Sequence, residues 1–363
     1  MNNCFESIPE LLDFIKNSKS RKILMVCGNS CKNHDAFVQM VNEIEQLGIE
    51  VFCFSEFNPN PKYEEVCKGL KTFKSKKCEM IIAVGGGSAI DVAKSIKAFS
   101  NNIDDINYLE IKDIKSDVPL IAIPTTAGSG SEATKFAVIY FNDTKYSVES
   151  ECLLPNRVLL YDDFLKTLPM YQRKSTLLDA YSHAIESYWS ICANDASRYY
   201  CKKTFELIKK YGNAYLDNES EGNKKMLIAA NYAGKAINIT KTTAGHAMSY
   251  KLTTLYSVAH GHAVALCVSK LWKFMLDCTK LDIDKNKILY SDGIDGLIKV
   301  CNELNEILKH FQILLDKMEL HSPRPNENDY DILVKSVNLD RLKNFPIKLE
   351  KPEICKLYHQ ILE

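Results

Sequence analysis

The residues with the clearest potential for chemistry are an aspartate and three histidines in the second half of the chain. Asp179 and His183 are four residues apart in LLDAYSHAIESYW, so on a helix their side chains lie one turn apart on the same face. His246 and His260 follow in TKTTAGHAMSYKLTTLYSVAHGHAVAL. One carboxylate oxygen and three imidazole nitrogens suit a divalent metal such as Fe²⁺ or Zn²⁺, with a position left for water or a substrate oxygen.

Each of these histidines, taken alone, also has an ordinary explanation as a helix-face or core residue. A further histidine, His262, lies two residues beyond His260. On a helix it would point away from the face that carries His260. We therefore expect His262 outside the set of metal ligands, and the case for a metal depends on the rest of the chain.

Two loops in the first half could bind a cofactor. Gly86, Gly87 and Ser88 stand in GGGSAIDVAK, which follows the apolar run MIIAV and opens a helix. Glycines let backbone N–H groups approach an anion, and a helix N-terminus adds partial positive charge, as a pyrophosphate requires. Thr125 and Thr126 stand in PTTAGSGSE, which leaves the carboxyl end of a predicted strand. A capped tight turn is the alternative for each loop.

The elements that position these loops alternate between strand and helix. KILMVCG, IEVFCFSEF, MIIAVGGG and VPLIAIPTTAG read as strands, and helices are predicted between them, including one over CKNHDAFVQMVNEIEQLG and one that opens at Ser88. This alternation predicts a parallel α/β sheet. From Leu168 onward helical periodicity dominates, so we predict an α/β domain over residues 1–167 and an all-helical domain over residues 168–363.

The bulk composition narrows the class of protein. Residues are 46% hydrophobic and 25% charged, and 46 basic residues balance 46 acidic ones, which favours neither nucleic acid nor an anionic membrane as a partner. No apolar run approaches the roughly 20 residues that span a bilayer. MNNCFESIPELLDF is not a signal peptide by its pattern. Thirteen scattered cysteines without a CxxC pair indicate reduced thiols and a cytoplasmic protein.

The loops and the metal pattern together resemble the iron-containing (group III) alcohol dehydrogenases. GGGSAIDVAK resembles that family's GGGSxxDxAK loop, and PTTAGSGSEAT is similar to its PTTxGTGSE loop. LDAYSH, followed by two histidines fourteen residues apart, resembles the family's metal pattern. VNLDRLKNFPIKL resembles its closing segment through Asn338, Arg341, Asn344 and Pro346.

This resemblance implies a dehydroquinate synthase-like fold, in which an α/β dinucleotide-binding domain and an all-α metal domain enclose the cofactor in a cleft between them. It implies a small-molecule aldehyde or alcohol substrate, NADP(H) or NAD(H), and Fe²⁺ or Zn²⁺, with a homodimer as a common assembly. The residues that the resemblance assigns to the metal are Asp179, His183, His246 and His260. Those assigned to the cofactor are Gly86, Gly87, Ser88, Asp91, Thr125 and Thr126.

The chain departs from the family pattern near the third metal ligand. The family often places a histidine four residues after that ligand, whereas here Tyr250 follows His246. A tyrosine can still donate a proton to a substrate oxygen, although a packed core tyrosine is an equal alternative. The preceding GKAINITKTT is rich in lysine and threonine, which suits an anionic substrate, with Lys241 as a catalytic-site residue. The lysines could instead extend into solvent.

The first strand–helix turn bears on the choice of nicotinamide cofactor. NAD-preferring members of the family usually place an aspartate after the first strand, where this chain has Gly28, followed by Ser30 and Lys32. A missing carboxylate and an added cation resemble the NADP-using members. We therefore expect NADPH to be accepted.

The reading that follows is a metal-dependent aldehyde reductase. The lysine-containing segment GKAINITKTT most resembles the phosphonoacetaldehyde reductases of this family, which form 2-hydroxyethylphosphonate. Other readings stay open: a generic alcohol, butanol or polyol dehydrogenase, a dehydroquinate synthase-like lyase, or a nucleotide-binding module that has lost catalysis.

Overall fold

The computed structural model describes residues 4–102, 107–111, 113–142, 144–280 and 284–362, so the first three residues of the N-terminal stretch lie outside it. It divides into two compact units. Unit 1 comprises Met1–Leu168 and Asn218–Gly234, and unit 2 comprises Pro169–Asp217 and Lys235–Glu363. Each unit is described by itself.

Unit 1 is built on a parallel six-stranded sheet. Its strands lie in the order β1-β8-β5-β4-β2-β3, and a separate antiparallel hairpin pairs β6 with β7. The strands are β1 (Cys4–Phe5), β2 (Lys22–Cys27), β3 (Glu50–Phe54), β4 (Met80–Gly85), β5 (Leu120–Pro124), β6 (Phe136–Phe141), β7 (Thr144–Glu149) and β8 (Arg157–Leu159). The α-helices that lie wholly within this unit are α1 (Ile8–Asn17), α2 (Asp35–Gln46), α3 (Tyr63–Ser75) and α4 (Gly87–Phe99).

Both faces of the sheet are buried, which explains why its strands read as continuous apolar runs. Ile23 and Met25 pack with residues of α1 and α2 on one face. Leu24 and Val26 pack with residues of α3 and α4 on the other. The predicted α/β sheet is therefore confirmed, with the strands at the predicted sequence runs.

Several local predictions were wrong. The helix predicted over residues 31–48 begins only at Asp35, because residues 31–34 form a turn and the His34 side chain accepts from the Ala36 amide at 3.3 Å. The helix expected to open at Ser88 begins one residue earlier, at Gly87. The hairpin of β6 and β7 and the short strands β1 and β8 were not predicted at all.

Unit 2 is mostly helical, and the fold class predicted for the second half is confirmed. Its described residues include one antiparallel bridge, between Ile288 and Ile347. The helices are α5 (Met170–Trp189), α6 (Asp195–Leu216), α7 (Ser220–Thr240), α8 (Ala244–Tyr256), α9 (His260–Lys280), α10 (Gly293–Lys317), α11 (Asp329–Ser336) and α12 (Lys351–Leu362), of which α7 begins within unit 1. None of the helices described here has the length and apolar content needed to cross a membrane.

A buried lysine holds the loop after β5 to helix α4. Lys94 is 0% exposed, and its ammonium donates to the Ser131 carbonyl at 2.6 Å, the Thr134 hydroxyl at 2.8 Å and the Phe136 carbonyl at 2.9 Å. Burial lowers the pKa of Lys94 to about 8, against the opposing effects of Asp91 and Glu132. The three protons of the ammonium are thus matched by oxygen acceptors. These hydrogen bonds hold the loop that carries Thr125 and Thr126 to α4.

We expect Lys94→Met to lower the free energy of unfolding by about 3–5 kcal/mol, because it leaves several buried oxygens without their cation. Denaturant unfolding followed by circular dichroism measures this change. Lys71→Met, at an exposed position of α3, is the matched control and should change stability by less than about 0.5 kcal/mol. Equal stability of the two variants would show that the Lys94 contacts contribute little.

Candidate functional site

The two cofactor loops lie together at the carboxyl edge of the sheet in unit 1. After β2 the chain adds β3 on one side and then returns to add β4 on the other, so the topological switch point lies between β2 and β4. Ligands of open α/β sheets bind outside the carboxyl ends of strands at such a point. Gly28 follows β2, and Gly86 follows β4. The Thr125 amide donates to the Gly85 carbonyl at 3.0 Å, which joins the threonine loop to the same edge.

The glycines of this edge lie in tight contact with the neighbouring loop. A Cβ on Gly86 would lie 3.2 Å from the Thr126 hydroxyl oxygen, and one on Gly87 would lie 3.0 Å from Ser129. Gly86 is also the N-cap residue of α4. Because it is a glycine, no side chain caps this helix. The first N–H groups of a helix have no partner within the helix. The start of α4 can thus receive an anion, and Ser88 lies inside its first turn rather than at the cap.

Asp91 is engaged by the protein on both carboxylate oxygens. One oxygen accepts from the Ser131 hydroxyl at 2.6 Å, and the other accepts from the Val138 amide at 3.1 Å. Burial raises the pKa of Asp91, against the opposing effect of Lys94. These contacts favour a supporting role for Asp91 beneath the loop, and its assignment as a cofactor-binding residue stays a prediction.

The turn after β2 presents the residues expected to distinguish the two nicotinamide cofactors. Ser30 and Lys32 are exposed, and Gly28 is half-buried. The Cys31 thiol lies 4.0 Å from the Thr125 hydroxyl, so this turn and the threonine loop are neighbours. The structure therefore brings the predicted residues of the two strand ends together within one unit.

Three of the four predicted metal ligands form a tight group in unit 2. Potential ligand atoms of Asp179, His246 and His260 all lie within 4.8 Å of one another. They come from α5, α8 and the first residue of α9. Asp179 and His246 are buried, whereas His260 is partly exposed, so the group is accessible from one side, as a catalytic metal site requires.

His183 lies beside this group without belonging to it. Its Nδ1 atom is 3.9 Å from an Asp179 carboxylate oxygen, and its ring stacks on that of His246 with centroids 4.3 Å apart. Burial raises the pKa of Asp179, but the neighbouring His183, His246 and His260 outweigh it and hold that pKa below its ordinary value. The role of His183 as a fourth ligand stays a prediction.

Two buried polar atoms in this group are suited to binding a cation. The Asp179 Oδ1 and His246 Nε2 atoms face each other at 3.6 Å. Neither has a hydrogen-bond partner among the residues that the structure describes. Buried polar atoms without partners are rare because each costs free energy. A divalent metal would satisfy both at once, so the donor set fits the metal that the sequence predicts.

A glycine lets α9 approach α5 closely enough to complete the group. A Cβ on Gly261 would lie 2.0 Å from the Ser175 carbonyl oxygen and 2.7 Å from the Asp179 Cβ. Only a residue without a side chain fits there, and it immediately follows His260. His262 is held apart: its amide donates to the Ser175 hydroxyl at 3.2 Å, and its Nδ1 lies 3.2 Å from the Tyr171 hydroxyl.

Tyr250 lies next to the metal group. Its ring is nearly parallel to that of His260, with centroids 5.8 Å apart. The Arg341 guanidinium lies 5.6 Å from the Tyr250 ring centre and donates to its hydroxyl at 3.4 Å. Burial raises the pKa of Tyr250, against the opposing effect of Arg341. The hydroxyl therefore keeps its proton in the neutral range.

Lys241 occupies the turn between α7 and α8. It is exposed and has a left-handed backbone with φ of +59°. The turn is pinned on both sides, because the Asn344 amide donates to the Thr240 carbonyl at 3.1 Å and the Thr240 and Ser187 hydroxyls are 2.9 Å apart. Lys241 lies five residues before His246 in the sequence. The hydrogen bond from Asn344 of the closing segment holds the turn that carries Lys241.

One residue of the site was missed at the sequence level. Glu186 is 0% exposed, and its carboxylate contacts the His246 imidazole at Nδ1. The available signal was its spacing, since it lies three residues after His183 and seven after Asp179 on α5, which is the same helix face.

Comparisons with known proteins identify the family. The family model "Iron-containing alcohol dehydrogenase" matches residues 3–162, and "Fe-containing alcohol dehydrogenase family, C-terminal" matches residues 174–362. The chain therefore belongs to the iron-containing alcohol dehydrogenase family, whose oxidoreductases act on alcohols and aldehydes with NAD(P) and a metal.

Individual relatives agree with this assignment. The chain is 27% identical to an NADPH-dependent butanol dehydrogenase of Clostridium saccharobutylicum over 96% of its own length and 93% of the relative's. It resembles a crystal structure of an iron-containing alcohol dehydrogenase at a TM-score of 0.86, with 23% identity over 99% of this chain and 96% of that one. A sulfoacetaldehyde reductase of Bifidobacterium kashiwanohense has the same fold, at a TM-score of 0.83, with 22% identity over 99% and 96% of the two chains.

We expect Gly261→Ala to weaken metal binding more than tenfold, because the added methyl group forces the start of α9 away from α5. The metal dissociation constant, measured by chelator competition, tests this. Gly212→Ala in α6 is the matched control, since its Cβ would meet only Leu177 at 3.4 Å and Ile208 at 3.7 Å. That helix-interior change should be neutral or stabilising by about 0.5–1 kcal/mol. Unchanged metal affinity in Gly261→Ala would contradict the close-packing argument.

Proposed function

We propose that this protein reduces an aldehyde to a primary alcohol, using NADPH or NADH and a Fe²⁺ or Zn²⁺ ion bound by Asp179, His183, His246 and His260. The observation that carries the proposal is the buried pair of Asp179 Oδ1 and His246 Nε2, which face each other at 3.6 Å beside a partly exposed His260. Family membership supports the reaction type.

The chain's own residues have distinct roles in this reaction. When bound, the metal supplies Lewis acidity toward the carbonyl oxygen and the nicotinamide supplies the hydride. Asp179 and the histidines would hold the metal ion beside the partly exposed His260. Tyr250 keeps a proton on a hydroxyl that accepts from Arg341. It would donate this proton to the product oxygen and take up another from water. The Gly86–Ser88 turn would hold the pyrophosphate at the start of α4, and Thr125 and Thr126 would contact the nicotinamide end of the cofactor.

The proposed substrate is an anionic two-carbon aldehyde, phosphonoacetaldehyde. Support comes from two cations, Arg341 over the Tyr250 ring and the exposed Lys241 in the turn that precedes the helix of His246. Guanidinium and ammonium groups suit phosphonate oxygens. A protein described as a sulfoacetaldehyde reductase has the same fold, and its name denotes a small anionic aldehyde, which supports this proposal. The butanol dehydrogenase favours the second candidate, a neutral alkyl aldehyde.

NADPH is the proposed preferred cofactor. No carboxylate stands at Gly28 to repel a 2′-phosphate, and Ser30 and Lys32 are exposed beside it. A relative described as NADPH-dependent supports this proposal. We further propose a cytoplasmic location, which suits thirteen cysteines that are all free thiols, and assembly as a homodimer. The division into domains at residues 167 and 168 also remains a proposal.

The metal-loaded enzyme should reduce phosphonoacetaldehyde with a higher kcat/KM than butanal. Lys241→Ala should raise KM for phosphonoacetaldehyde about tenfold and leave KM for butanal unchanged, because only the anion loses a charged partner. Initial rates of NADPH oxidation over an aldehyde panel, with Fe²⁺ and with Zn²⁺, measure both effects.

Two controls separate the parts of that prediction. Lys273→Ala removes an exposed cation of α9 about 20 Å along the helix from His260 and should leave both KM values unchanged. His246→Ala should abolish reduction of every aldehyde. A preference for butanal together with an unaffected Lys241→Ala would favour the neutral-aldehyde candidate, and full activity of His246→Ala would refute the metal site.

The NADPH preference should depend on Lys32. We expect Lys32→Ala to lower kcat/KM for NADPH roughly tenfold and to change that for NADH less than twofold, because only NADPH carries the 2′-phosphate. Steady-state kinetics with both cofactors measure this, with Lys71→Ala as the surface control. A wild-type enzyme that strongly prefers NADH would overturn the proposal.

A further inference from the structure

Glu186 is a fully buried carboxylate that the proposed reaction does not use directly. It lies on α5, on the face that carries Asp179 and His183, and is 0% exposed. It is not a member of the metal-binding group. Burying a carboxylate is costly unless several donors compensate it. The donors around Glu186 therefore indicate what it does.

One oxygen of Glu186 caps helix α8. Its Oε1 atom accepts from the amides of Gly245 at 2.8 Å, Thr243 at 3.1 Å and His246 at 3.4 Å. The Thr243 side chain does not cap its own helix, and its hydroxyl instead donates to the same oxygen. A negative charge at a helix N-terminus satisfies the open N–H groups and the helix dipole. The capping group of α8 thus comes from α5.

The other oxygen of Glu186 holds the His246 ring. Its Oε2 atom accepts a hydrogen bond from His246 Nδ1. An ionised carboxylate can only accept, so it requires a proton on Nδ1. His246 Nε2 is then the nitrogen that faces Asp179 Oδ1, at 3.6 Å. One carboxylate therefore fixes both the position of the helix that carries His246 and the orientation of its ring.

We propose that Glu186 is the positioning residue that makes His246 a metal ligand through Nε2. The inference rests on the proposed metal site. A partner of this kind sets the tautomer and the direction of a ligating histidine, and its loss typically weakens metal binding by about 10–100-fold. Gly245 is part of the same arrangement, since a Cβ there would lie 3.1 Å from the Glu186 carboxylate and 2.8 Å from Val268.

The test is the Zn²⁺ dissociation constant of full-length Glu186→Gln, measured by chelator competition. Either orientation of the glutamine amide points its NH₂ group at a donor, the α8 amides or the His246 Nδ1–H. We expect Zn²⁺ binding to weaken about 10–100-fold. Glu303→Gln, which removes a carboxylate that accepts from Tyr188 and Arg198 in the same unit, should leave the constant within twofold.

A second variant separates helix capping from ring orientation. Thr243→Val removes the hydroxyl donor to Oε1 and leaves the contact between Oε2 and His246 Nδ1 intact. We expect this variant to lower the melting temperature of the metal-free protein while Zn²⁺ affinity stays within about threefold. If Thr243→Val weakens Zn²⁺ binding as much as Glu186→Gln does, Glu186 acts only on stability and the proposal is overturned.

A measurement on the unaltered protein covers the case in which Glu186→Gln does not fold. In ¹⁵N-histidine-labelled protein with Zn²⁺, we expect His246 to show a protonated Nδ1 and a metal-bound Nε2, with the signals assigned by their absence in His246→Ala. Metal binding through Nδ1, or equal Zn²⁺ affinity of wild type and Glu186→Gln, would overturn the inference. Equal Zn²⁺ affinity of wild type and His246→Ala would instead show that the proposed metal site is wrong.

Discussion

The packing of helices in unit 2 depends on two buried carboxylates of α5, for which other helices must provide partners. Asp179 and Glu186 lie seven residues apart on one face of this helix, and neither could remain ionised in an apolar interior without partners. Glu186 takes the first amides of α8, whereas Asp179 faces His246 and His260. The N-terminal ends of α8 and α9, which bring these donors, therefore lie against α5. The metal group results from the same need to provide partners for buried carboxylates.

Donors alone would not suffice, because two helix starts must also come within contact distance of α5. Glycines permit this approach. Gly245 meets the Glu186 carboxylate, and Gly261 meets the Ser175 carbonyl at a distance where any Cβ would collide. Each glycine adjoins a histidine of the group, so the ligand directions are set by packed helices rather than by loops. A site held on rigid elements keeps its geometry more accurately than one held on loops.

The sequence predicted the sheet, because strands buried on both faces read as unbroken apolar runs such as KILMVC and MIIAVG. Asp179 stood out by its helical spacing to His183, and the family resemblance added His246 and His260, which lie close to Asp179 in the structure. Glu186 was missed because a lone glutamate on a helix is normally exposed, and its partner lies 60 residues away. The β6–β7 hairpin was missed because only FAVIYF is an apolar run, whereas its partner strand TKYSVE is polar and mostly exposed. A pairing over 60 residues, such as that of Glu186 with His246, is invisible to local patterns.

The metal group and the nucleotide loops are supported by separate polar networks. In unit 1 oxygens of the loop saturate the buried ammonium of Lys94, so the amides of the glycine turn stay available for an anion. In unit 2 the first amides of α8 and the His246 Nδ1–H satisfy the buried carboxylate of Glu186, so the Nε2 lone pair of His246 remains for a cation. Glu186 supports the metal group from a fully buried position, and the contacts of Asp91 with Ser131 and Val138 favour a similar supporting role beneath the glycine turn. Substitutions in one network should therefore change the affinity for one ligand and leave the other intact.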